Sequence, residues 1–341
     1  MDFTFGVCTY NSKKFIVQTL ESIKYQTVAY GEKNRVTLIV SDDCSNDGTV
    51  IIVKHWMEYN KELFVECVLL EEDRNRGLAY NYTKLLDHIY TEHFKIIDGD
   101  DMCSSVNIFE QCKEIQRDEL NIFFPIRFNG DKVYIEESDY ISLFYYHMIK
   151  HKHKEDLHML EIIKSFATVE VCFLKQAYCE GTREFVRQFT HFQDDTSLYY
   201  MFKHNSDMIM NFVLEPMILY RIHDKALSHG EESSANIKFL DDLHKFRKYT
   251  FANEKNLYIK MIIFFQIIDT FRMKHRFATK LSIYKKVIKH YEKKRKNLVE
   301  KNKDFLKYKS KMEKYMDIES EHLRLIEENA KKYLERMSDI S

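Results

Sequence analysis

The strongest constraint on the fold of this chain is a regular alternation of short apolar runs with amphipathic segments through its first hundred residues. The apolar runs lie at 3–9, 36–41, 64–70 and 94–97, and helix-like segments at 13–26, 49–59 and 78–90 separate them. The runs are apolar throughout, as in parallel strands that helices cover on both faces. This order predicts a doubly wound α/β fold with a mainly parallel sheet and right-handed crossovers.

Beyond residue 101 the pattern becomes less regular. We predict helices at 106–116, 140–150 and 195–204, and strands at 121–129, 132–135, 167–173, 208–214 and 217–222, the last two divided at Pro216. From residue 236 onward the chain has no Pro or Gly, and Lys, Glu, Leu, Ile and Tyr dominate, which predicts several helices. The expected division is an α/β domain at 1–235 and an all-helical, basic C-terminal region at 236–341.

Composition excludes several other classes of protein. The 341 residues are 45% hydrophobic and 31% charged, with 8 Gly and 2 Pro, so the chain can bury a sizeable core and is neither collagen-like nor low-complexity. The seven cysteines contain no C-x-x-C pair, which argues against a disulfide framework or a zinc ribbon and favours a reducing compartment. No secretory leader pattern opens the sequence, and the longest apolar run, at 258–271, is too short to span a bilayer. We therefore expect a cytoplasmic protein.

Acidic residues cluster where two of the predicted strands end. Asp42 and Asp43 follow the second strand, and Asp98, Asp100 and Asp101 follow the fourth. Ligands of doubly wound sheets bind beyond the carboxyl ends of the strands, so these side chains should share one edge. Carboxylates at that density repel one another unless a cation binds, and Mg²⁺ is typically held by one or two carboxylates together with substrate phosphates. The alternative is turn chemistry, because Asp, Asn and Gly also end strands and cap helices.

Four short motifs in this order resemble glycosyltransferase family 2, whose members are inverting enzymes that use nucleotide-sugar donors. Each motif is weak alone, but their order and their positions at strand ends make the set specific. The motifs are Thr9-Tyr10-Asn11, Asp42-Asp43-Cys44-Ser45-Asn46-Asp47-Gly48-Thr49, Asn75-Arg76-Gly77-Leu78-Ala79-Tyr80-Asn81 and Asp98-Gly99-Asp100-Asp101. The resemblance covers roughly residues 1–230. It implies a Rossmann-like GT-A fold with a nucleotide-binding half at 1–101 and an acceptor half at 102–235.

The resemblance also implies a role for each motif. The first three would contact the nucleotide, its base and its ribose, and the fourth matches the family's D-x-D motif, which binds Mn²⁺ or Mg²⁺. The implied donor-binding residues are Thr9, Tyr10, Asn11, Asp42, Asp43, Asn75, Arg76, Gly77, Asp98, Gly99 and Arg221. The implied metal ligands are Asp98, Asp100 and His223, the last from a late motif in which an Arg, here Arg221, contacts the diphosphate.

A further acidic pair resembles the catalytic pair of the family. Asp194 and Asp195 precede a predicted helix, and Asp195 falls on the position of the general base. Inverting transfer needs such a group, because a positioned carboxylate removes the proton of the attacking acceptor hydroxyl. The open alternative is that one member of the pair caps the helix.

These features predict a metal-dependent inverting glycosyltransferase. By family preference the donor is UDP-linked, and the acceptor is a saccharide, a glycoprotein or a lipid-linked molecule of surface polysaccharide or glycan synthesis. Two alternatives stay open: a sugar nucleotidyltransferase that releases pyrophosphate, and a non-catalytic scaffold of the same fold. The nucleotidyltransferase would normally show a Gly-rich basic loop near its N-terminus, and residues 9–14 contain no glycine.

The basic charge of the chain lies in its C-terminal region. Residues 272–314 hold 17 Lys and Arg against 4 Asp and Glu, although the whole chain has a formal net charge of −1. Such a stretch fits a solvated helical face, peripheral contact with the inner face of the membrane, or homo-oligomer formation through residues 236–341. Nucleic acid is not an expected partner, because the rest of the chain is acidic and contains no recognised nucleic-acid-binding module.

Overall fold

The computed structural model describes residues 1–113, 119–137, 141, 144–145, 148, 170–174, 180–191, 196, 199–200, 203–204, 209–223, 234–274 and 282–340. Its strands are β1 (Asp2–Thr9), β2 (Arg35–Asp42), β3 (Glu66–Glu71), β4 (His93–Asp98), β5 (Met102–Cys103), β6 (Glu119–Asn129), β7 (Lys132–Tyr134), β8 (Glu170–Leu174) and β9 (Ile209–Arg221). Its helices are α1 (Ile16–Tyr30), α2 (Thr49–Asn60), α3 (Leu78–His88), α4 (Ile108–Lys113), α5 (Glu180–Val186), α6 (Ser234–Asn253), α7 (Leu257–Lys274), α8 (Ser282–Glu300) and α9 (Lys303–Ile340).

The described strands form one mixed sheet in the order β3-β2-β1-β4-β8-β6-β9-β5, with β7 paired to β6. The first four strands of the chain run parallel, and helices connect them. The later strands mix directions, because β8 is antiparallel to both β4 and β6, whereas β6 and β9 are parallel. The predicted doubly wound sheet and the helical C-terminal region are both confirmed. The predicted helices at 140–150 and 195–204 lie largely outside the described residues.

One strand prediction is wrong. The sequence suggested two strands divided at Pro216, whereas the structure has the single strand β9 from Ile209 to Arg221. Proline cannot donate a ladder hydrogen bond, and the chain accommodates it with an irregular register instead of a strand end. Pro216 lies opposite Phe124, and the pairing with β6 shifts register on both sides of Phe124.

Two hydrophobic clusters cover the opposite faces of the parallel strands. Phe5 of β1 packs in one cluster with Trp56 of α2, and Ile39 of β2 packs in the other with Leu85 of α3. Gly6 faces α3 so closely that a Cβ at this position would lie 2.9 Å from a methyl group of Leu85. The sheet is therefore buried on both faces, which explains the continuous apolar runs of its strands.

The long helix α9 contributes to both of these clusters. Leu323 and Ile326 belong to the cluster on the α3 face, and Ala330 and Tyr333 belong to the cluster on the α2 face. Full burial of a leucine side chain such as Leu323 stabilises a fold by about 1.5–3 kcal/mol. The last helix thus completes the core of the α/β part. The domain boundary at residue 235 stays a prediction.

Helices α6 and α7 pack against each other beside α5. Phe239 and Phe246 of α6 contact the small cluster around Phe185 and Phe189. Among the described helices, none has a stretch long and apolar enough to cross a membrane.

Candidate active site at the carboxyl edge of the parallel strands

The carboxyl ends of β1, β2 and β4 lie side by side. In the parallel pairing Thr9 of β1 is opposite Asp42 of β2, and Cys8 of β1 is opposite Asp98 of β4. Three separate stretches of sequence therefore bring their polar residues to one end of the sheet, as predicted. The loop at 75–77 and the end of β9 also meet this edge through the contacts described below.

Asp42 organises the turn that follows β2. Its side chain is buried, its Oδ1 accepts the backbone N–H of Ser45 at 2.7 Å, and its Oδ2 accepts the Ser45 hydroxyl at 2.5 Å. Burial raises the pKa of Asp42, and the two hydrogen bonds from Ser45 act in the opposite direction. Cys44 lies in the left-handed region with φ +64°, as such a tight turn requires. The turn chemistry that the sequence left open is thus present at Asp42.

Asp43 holds the loop that precedes α3. Its Oδ1 accepts the backbone N–H of Arg76 at 2.7 Å, and its Oδ2 accepts that of Gly77 at 2.8 Å. The N–H of Asp43 itself donates to the carbonyl of Thr9 at 3.0 Å. Burial raises the pKa of Asp43, and the two backbone donors oppose that effect. Asp43 therefore ties the end of β1 through its N–H and the 75–77 loop through its buried carboxylate.

The first loop is tied to the second in a similar way. The N–H of Asn11 donates to Ser45 Oγ at 2.7 Å, and the N–H of Asn46 donates to Asn11 Oδ1 at 2.9 Å. Asn11 has φ +51°, a conformation that asparagine adopts more readily than most residues. Tyr10 next to it is 48% exposed, so its ring is accessible at the mouth of the site.

The turn after β4 brings three carboxylates together. One oxygen from each of Asp98, Asp100 and Asp101 lies within 4.8 Å of the other two. The N–H of Gly99 donates to the carbonyl of Cys8 at 2.7 Å. A Cβ at Gly99 would lie 2.7 Å from Thr9 Oγ1, so glycine is what allows this turn to lie against β1.

Arg221, at the end of β9, supports this acidic turn. Its Nε donates to the carbonyl of Asp100 at 2.7 Å, its backbone N–H donates to Asp101 Oδ1 at 2.8 Å, and its Nη2 donates to Gln18 Oε1 at 2.5 Å. Burial lowers the pKa of Arg221, and the negative charges of Asp101 and Asp100 oppose this effect. The guanidinium holds the main chain of the turn, and its contact with a diphosphate stays a prediction.

His223 joins the acidic turn two residues further along. Its Nε2 lies 2.9 Å from Asp100 Oδ2, although the two residues are 123 positions apart in sequence. The imidazole also lies against the ring of Phe15, at 4.9 Å between centroids, and the same ring lies 4.5 Å from the guanidinium of Arg221. Two of the predicted metal ligands, Asp100 and His223, are therefore neighbours in the structure.

These residues fit a divalent cation. Carboxylate oxygens are the ligands that Mg²⁺ and Mn²⁺ prefer, and an imidazole nitrogen lies beside them. The hydroxyl of Thr9 is buried next to the turn and has no hydrogen-bond partner among the described residues. A buried polar atom of this kind is ordinarily satisfied, so its position favours a bound polar group in the cleft.

The predicted catalytic pair lies outside the described residues. Asp194 and Asp195 belong to the segment 192–195, which begins directly after the described residue His191. Their roles as base and neighbouring carboxylate stay predictions.

Two residues that organise the site were not assigned a role from the sequence. Asn81 Nδ2 donates to the carbonyl of Ser41 at 2.9 Å and to that of Thr9 at 3.4 Å, and its Oδ1 accepts the Ser41 hydroxyl at 2.6 Å. Its position at the end of the third motif was the available signal. Asp242 of α6 accepts hydrogen bonds from Thr190 and His191, and no local pattern distinguishes it from other helical acidic residues.

Comparison with known proteins identifies the family to which this chain belongs. The family model described as Glycosyl transferase family 2 matches residues 4–180. A protein of Bacillus subtilis (strain 168) that carries the name teichuronic acid biosynthesis glycosyltransferase TuaG is 31% identical over 93 residues. That match covers 27% of this chain and 33% of the relative, so this chain spans about a third of the curated relative's length.

Solved structures resemble the fold over a longer stretch. S. aureus TarS 1-349 in complex with UDP-GlcNAc has a TM-score of 0.55 at 14% identity, with 97% of this chain and 92% of that chain covered. The same protein fragment described without a ligand gives a TM-score of 0.51 over the same shares. Against the longer S. aureus TarS chain, this chain covers 44% of that chain's length. At this level of identity the likeness establishes the fold.

Proposed function

Because this chain belongs to glycosyl transferase family 2, we propose that it is a metal-dependent, inverting glycosyltransferase. It moves a sugar from a nucleotide donor, UDP-linked by family preference, to a saccharide, glycoprotein or lipid-linked acceptor. The fold that it shares with a structure described as a complex with UDP-GlcNAc supports a donor of this class. The curated relative, named for teichuronic acid biosynthesis, supports a role in surface polysaccharide synthesis.

The convergence of carboxylates at the β4 turn carries this proposal. Asp98, Asp100 and Asp101 each place an oxygen within 4.8 Å of the other two, and His223 lies 2.9 Å from Asp100. In our proposal Asp98, Asp100 and His223 hold Mn²⁺ or Mg²⁺. A cation held there would supply positive charge to stabilise the departing nucleoside diphosphate.

The chain's own loops bind the nucleoside in this proposal. Asp42 and Asp43 lie at the edge next to the acidic turn, and the 75–77 loop that Asp43 holds closes over the donor. Tyr10, whose ring is accessible, and Thr9, whose buried hydroxyl has no partner among the described residues, lie next to each other at this edge. Arg221 keeps the acidic turn in place through the main chain of Asp100.

Asp195 is the general base in this proposal. The acceptor hydroxyl attacks the anomeric carbon from the face opposite the leaving group, the proton of the hydroxyl passes to the Asp195 carboxylate, and the bond to the nucleoside diphosphate breaks. A positioned base of this kind typically accelerates transfer by about 10²–10⁴-fold. Asp194 lies beside it in sequence and would orient the acceptor or cap the following helix.

We propose in addition that the C-terminal region contacts an anionic membrane surface. Leu257, Met261, Phe264 and Phe271 of α7 are exposed, and their spacing of four, three and seven residues places them on one helical face, which we name the α7 stripe. The strongly basic stretch at 272–314 follows directly. Apolar side chains next to basic residues fit anionic lipid, which attracts each basic residue near the surface by about 1 kcal/mol.

Calorimetric titration with UDP tests the proposed function. We expect wild-type protein to bind UDP in the presence of Mn²⁺, and Asp100→Ala to weaken that binding at least about tenfold, because one charged ligand is lost. Asp304→Ala, which removes an exposed carboxylate on α9, is the matched control and should bind as the wild type does.

Three further outcomes separate the proposal from its alternatives. Release of pyrophosphate from a nucleoside triphosphate, without release of UDP from a UDP-sugar, would identify a nucleotidyltransferase. Absence of all nucleotide binding would favour a scaffold. For Asp195→Asn we expect unchanged UDP affinity and loss of sugar transfer, and full transfer by this variant would remove Asp195 as the base.

A further inference from the structure

A buried carboxylate of the C-terminal helices reaches the loops around the candidate site. Asp242 of α6 is 7% exposed, and its Oδ2 accepts the backbone N–H of Thr190 at 2.7 Å and that of His191 at 2.6 Å. Hydrogen bonds from backbone donors to a charged acceptor are among the stronger ones in proteins. Asp242 therefore holds the last two described residues before the segment that contains Asp194 and Asp195.

Thr190 also contacts the 75–77 loop, which we name the donor loop, and the first turn of α3 that follows it. The carbonyl of Thr190 accepts the N–H of Ala79 at 3.0 Å, in the first turn of α3. Gly77 has φ +94°, and a Cβ there would lie 2.6 Å from both the carbonyl oxygen and the Cγ2 of Thr190. The backbone at 77 and that at 190 are therefore packed as closely as glycine permits, so a shift of one displaces the other.

A second carboxylate, that of Asp43, also holds the donor loop. Asp43 accepts the N–H of Arg76 and that of Gly77, as described above. His191 interacts electrostatically with both acids. Burial lowers the pKa of His191, and the negative charges of Asp242 and Asp43 oppose that change. The order of contacts is thus Asp43, the 75–77 loop, the 190–191 segment and Asp242.

We propose that Asp242 is a positioning residue for the transfer reaction. It holds residues 190–191, which directly precede the segment of the predicted catalytic pair, and through Thr190 the donor loop, in one fixed arrangement. This inference rests on the proposed function. According to this inference, α6 helps to position the active-site loops, although the sequence predicts α6 to be part of the helical C-terminal region and not of the α/β domain. Asp242 contacts neither the acidic turn nor the β2 turn in the hydrogen bonds that the structure describes, so it acts through the loops that it holds.

The inference is tested with Asp242→Ala and Asp242→Asn in the full chain, against Asp241→Ala as the matched control. Asp241 is the adjacent residue of the same helix and is exposed. We expect Asp242→Ala to weaken Mn²⁺-dependent UDP binding about tenfold, because two backbone donors lose a charged acceptor and the loop loses its support. Asp242→Asn keeps an oxygen acceptor and should lose less affinity, and Asp241→Ala should bind within about twofold of the wild type.

Amide hydrogen exchange gives a readout that needs no ligand. In Asp242→Ala we expect faster exchange at residues 76–79 and 190–191, with β1 and β2 protected as in the wild type. Unchanged exchange at the loops would overturn the proposal, and so would a uniform rise over the whole chain, which indicates a purely structural role. If Asp242→Ala does not fold, Asp242→Asn decides between these outcomes.

The two proposals fail in different ways. Wild-type protein that binds no nucleotide would refute the proposed function, and the exchange experiment would still test the coupling between Asp242 and the 76–79 loop. Wild-type binding together with unchanged UDP affinity in Asp242→Ala would refute the role of Asp242 alone.

Discussion

The carboxyl edge of the parallel strands and the C-terminal helices both use buried carboxylates to hold loop backbone. At the edge, Asp43 accepts two consecutive N–H groups of the donor loop. In the helices, Asp242 accepts two consecutive N–H groups at 190–191. The physical device is the same in both regions, since a buried acid is stable only when donors satisfy its oxygens.

Glu319 of α9 provides a second example in the helices. Its side chain is fully buried, both of its oxygens lie 3.0 Å from the backbone N–H of Ser105, and its Oε1 also accepts the Ser105 hydroxyl at 2.6 Å. His322, one turn further along α9, lies 3.1 Å from the carbonyl of Cys103 through its Nε2. His322 thus contacts the strand β5, which follows the acidic turn, and Glu319 contacts the loop directly after that strand.

The two regions differ in how far their contacts reach. The partners of Asp43 are 33 and 34 residues away in sequence, whereas Ser105 and Glu319 are 214 residues apart. Apart from Arg221 and His223, the edge is thus formed by residues within 1–101, and α6 and α9 contact the neighbouring loops from the C-terminal region. The helical C-terminal region, which the sequence predicts as an extension of the α/β domain, is therefore a structural support for the site.

The largest effect should come from the core that α9 completes. Leu323→Ala removes a fully buried side chain, and we expect the free energy of unfolding to fall by about 2–5 kcal/mol. Leu325→Ala, on the exposed side of the same helix, should change it by less than about 0.5 kcal/mol. Urea denaturation followed by the fluorescence of Trp56, the single tryptophan, measures this change from within the α/β part. A Trp56 transition that does not move in Leu323→Ala would show that the helices fold independently.

The next effect concerns the contact between the donor loop and the 190–191 segment. Gly77→Ala forces a side chain into a positive-φ position, which costs about 1–3 kcal/mol, and the added carbon would also meet the backbone of Thr190 at 2.6 Å. We expect a lower thermal midpoint and weaker Mn²⁺-dependent UDP binding.

Gly130→Ala is the matched control for this substitution. Gly130 also has a positive φ, +58°, but nothing lies within 4 Å of a Cβ there. It should reduce stability by about 1 kcal/mol and leave UDP affinity unchanged. Equal effects of both substitutions on UDP binding would mean that the contact at 190 does not matter.

A smaller effect is the pH dependence that Glu319 contributes. Burial raises the pKa of Glu319 to about 7, against an ordinary value of 4.5, so between these values the folded state binds the proton more tightly than the unfolded state does. The contribution to stability is therefore complete below pH 4.5 and is lost as the pH rises through 7. Burial also lowers the pKa of His322 to about 4, and this contributes in the opposite sense, being lost as the pH falls from 6.5 to 4.

The substitution Glu319→Gln separates these two opposing contributions. Between pH 5.5 and pH 8 we expect the stability advantage of the wild type over Glu319→Gln to shrink by an amount on the order of 2 kcal/mol. Urea denaturation at both pH values measures it, and Glu321→Gln, at an exposed position of α9, should show no such trend. A difference that grows with pH would contradict the assigned direction.

The smallest effect should be seen at the α7 stripe. We expect the double variant Leu257→Gln, Phe264→Gln to sediment less with vesicles that contain anionic phosphatidylglycerol, by about tenfold in partition coefficient. Ile51→Gln, at an exposed apolar position of α2, is the control. Wild-type binding to neutral vesicles at equal strength would contradict the role of charge, and a wild-type dimer in solution that the double variant loses would identify the stripe as a contact between two copies.

Much of the candidate site could be predicted because its parts are local. Asp42 and Asp98 directly follow strands, and parallel strands end at the same edge, so one sequence pattern predicts both the strand and the place of its last side chain. The predicted division of the strand at Pro216 was wrong because strand pairing is not local. Proline removes one backbone hydrogen-bond donor, but the neighbouring strand β6 determines whether the pairing continues.

By itself the amino-acid sequence determined the alternating α/β order, the carboxylates at the strand ends and the helical nature of the C-terminal region, since each depends on the periodicity or chemistry of neighbouring residues. Only the tertiary structure decided that the Arg221 guanidinium supports the acidic turn by donating to the carbonyl of Asp100. It also decided that Asp242 and Glu319 accept hydrogen bonds from loops of the α/β part. Such contacts join residues that are many positions apart, and a helix with a buried acid has the same local pattern as one with a solvated acid. The position of the helix on the sheet determines which of the two it is.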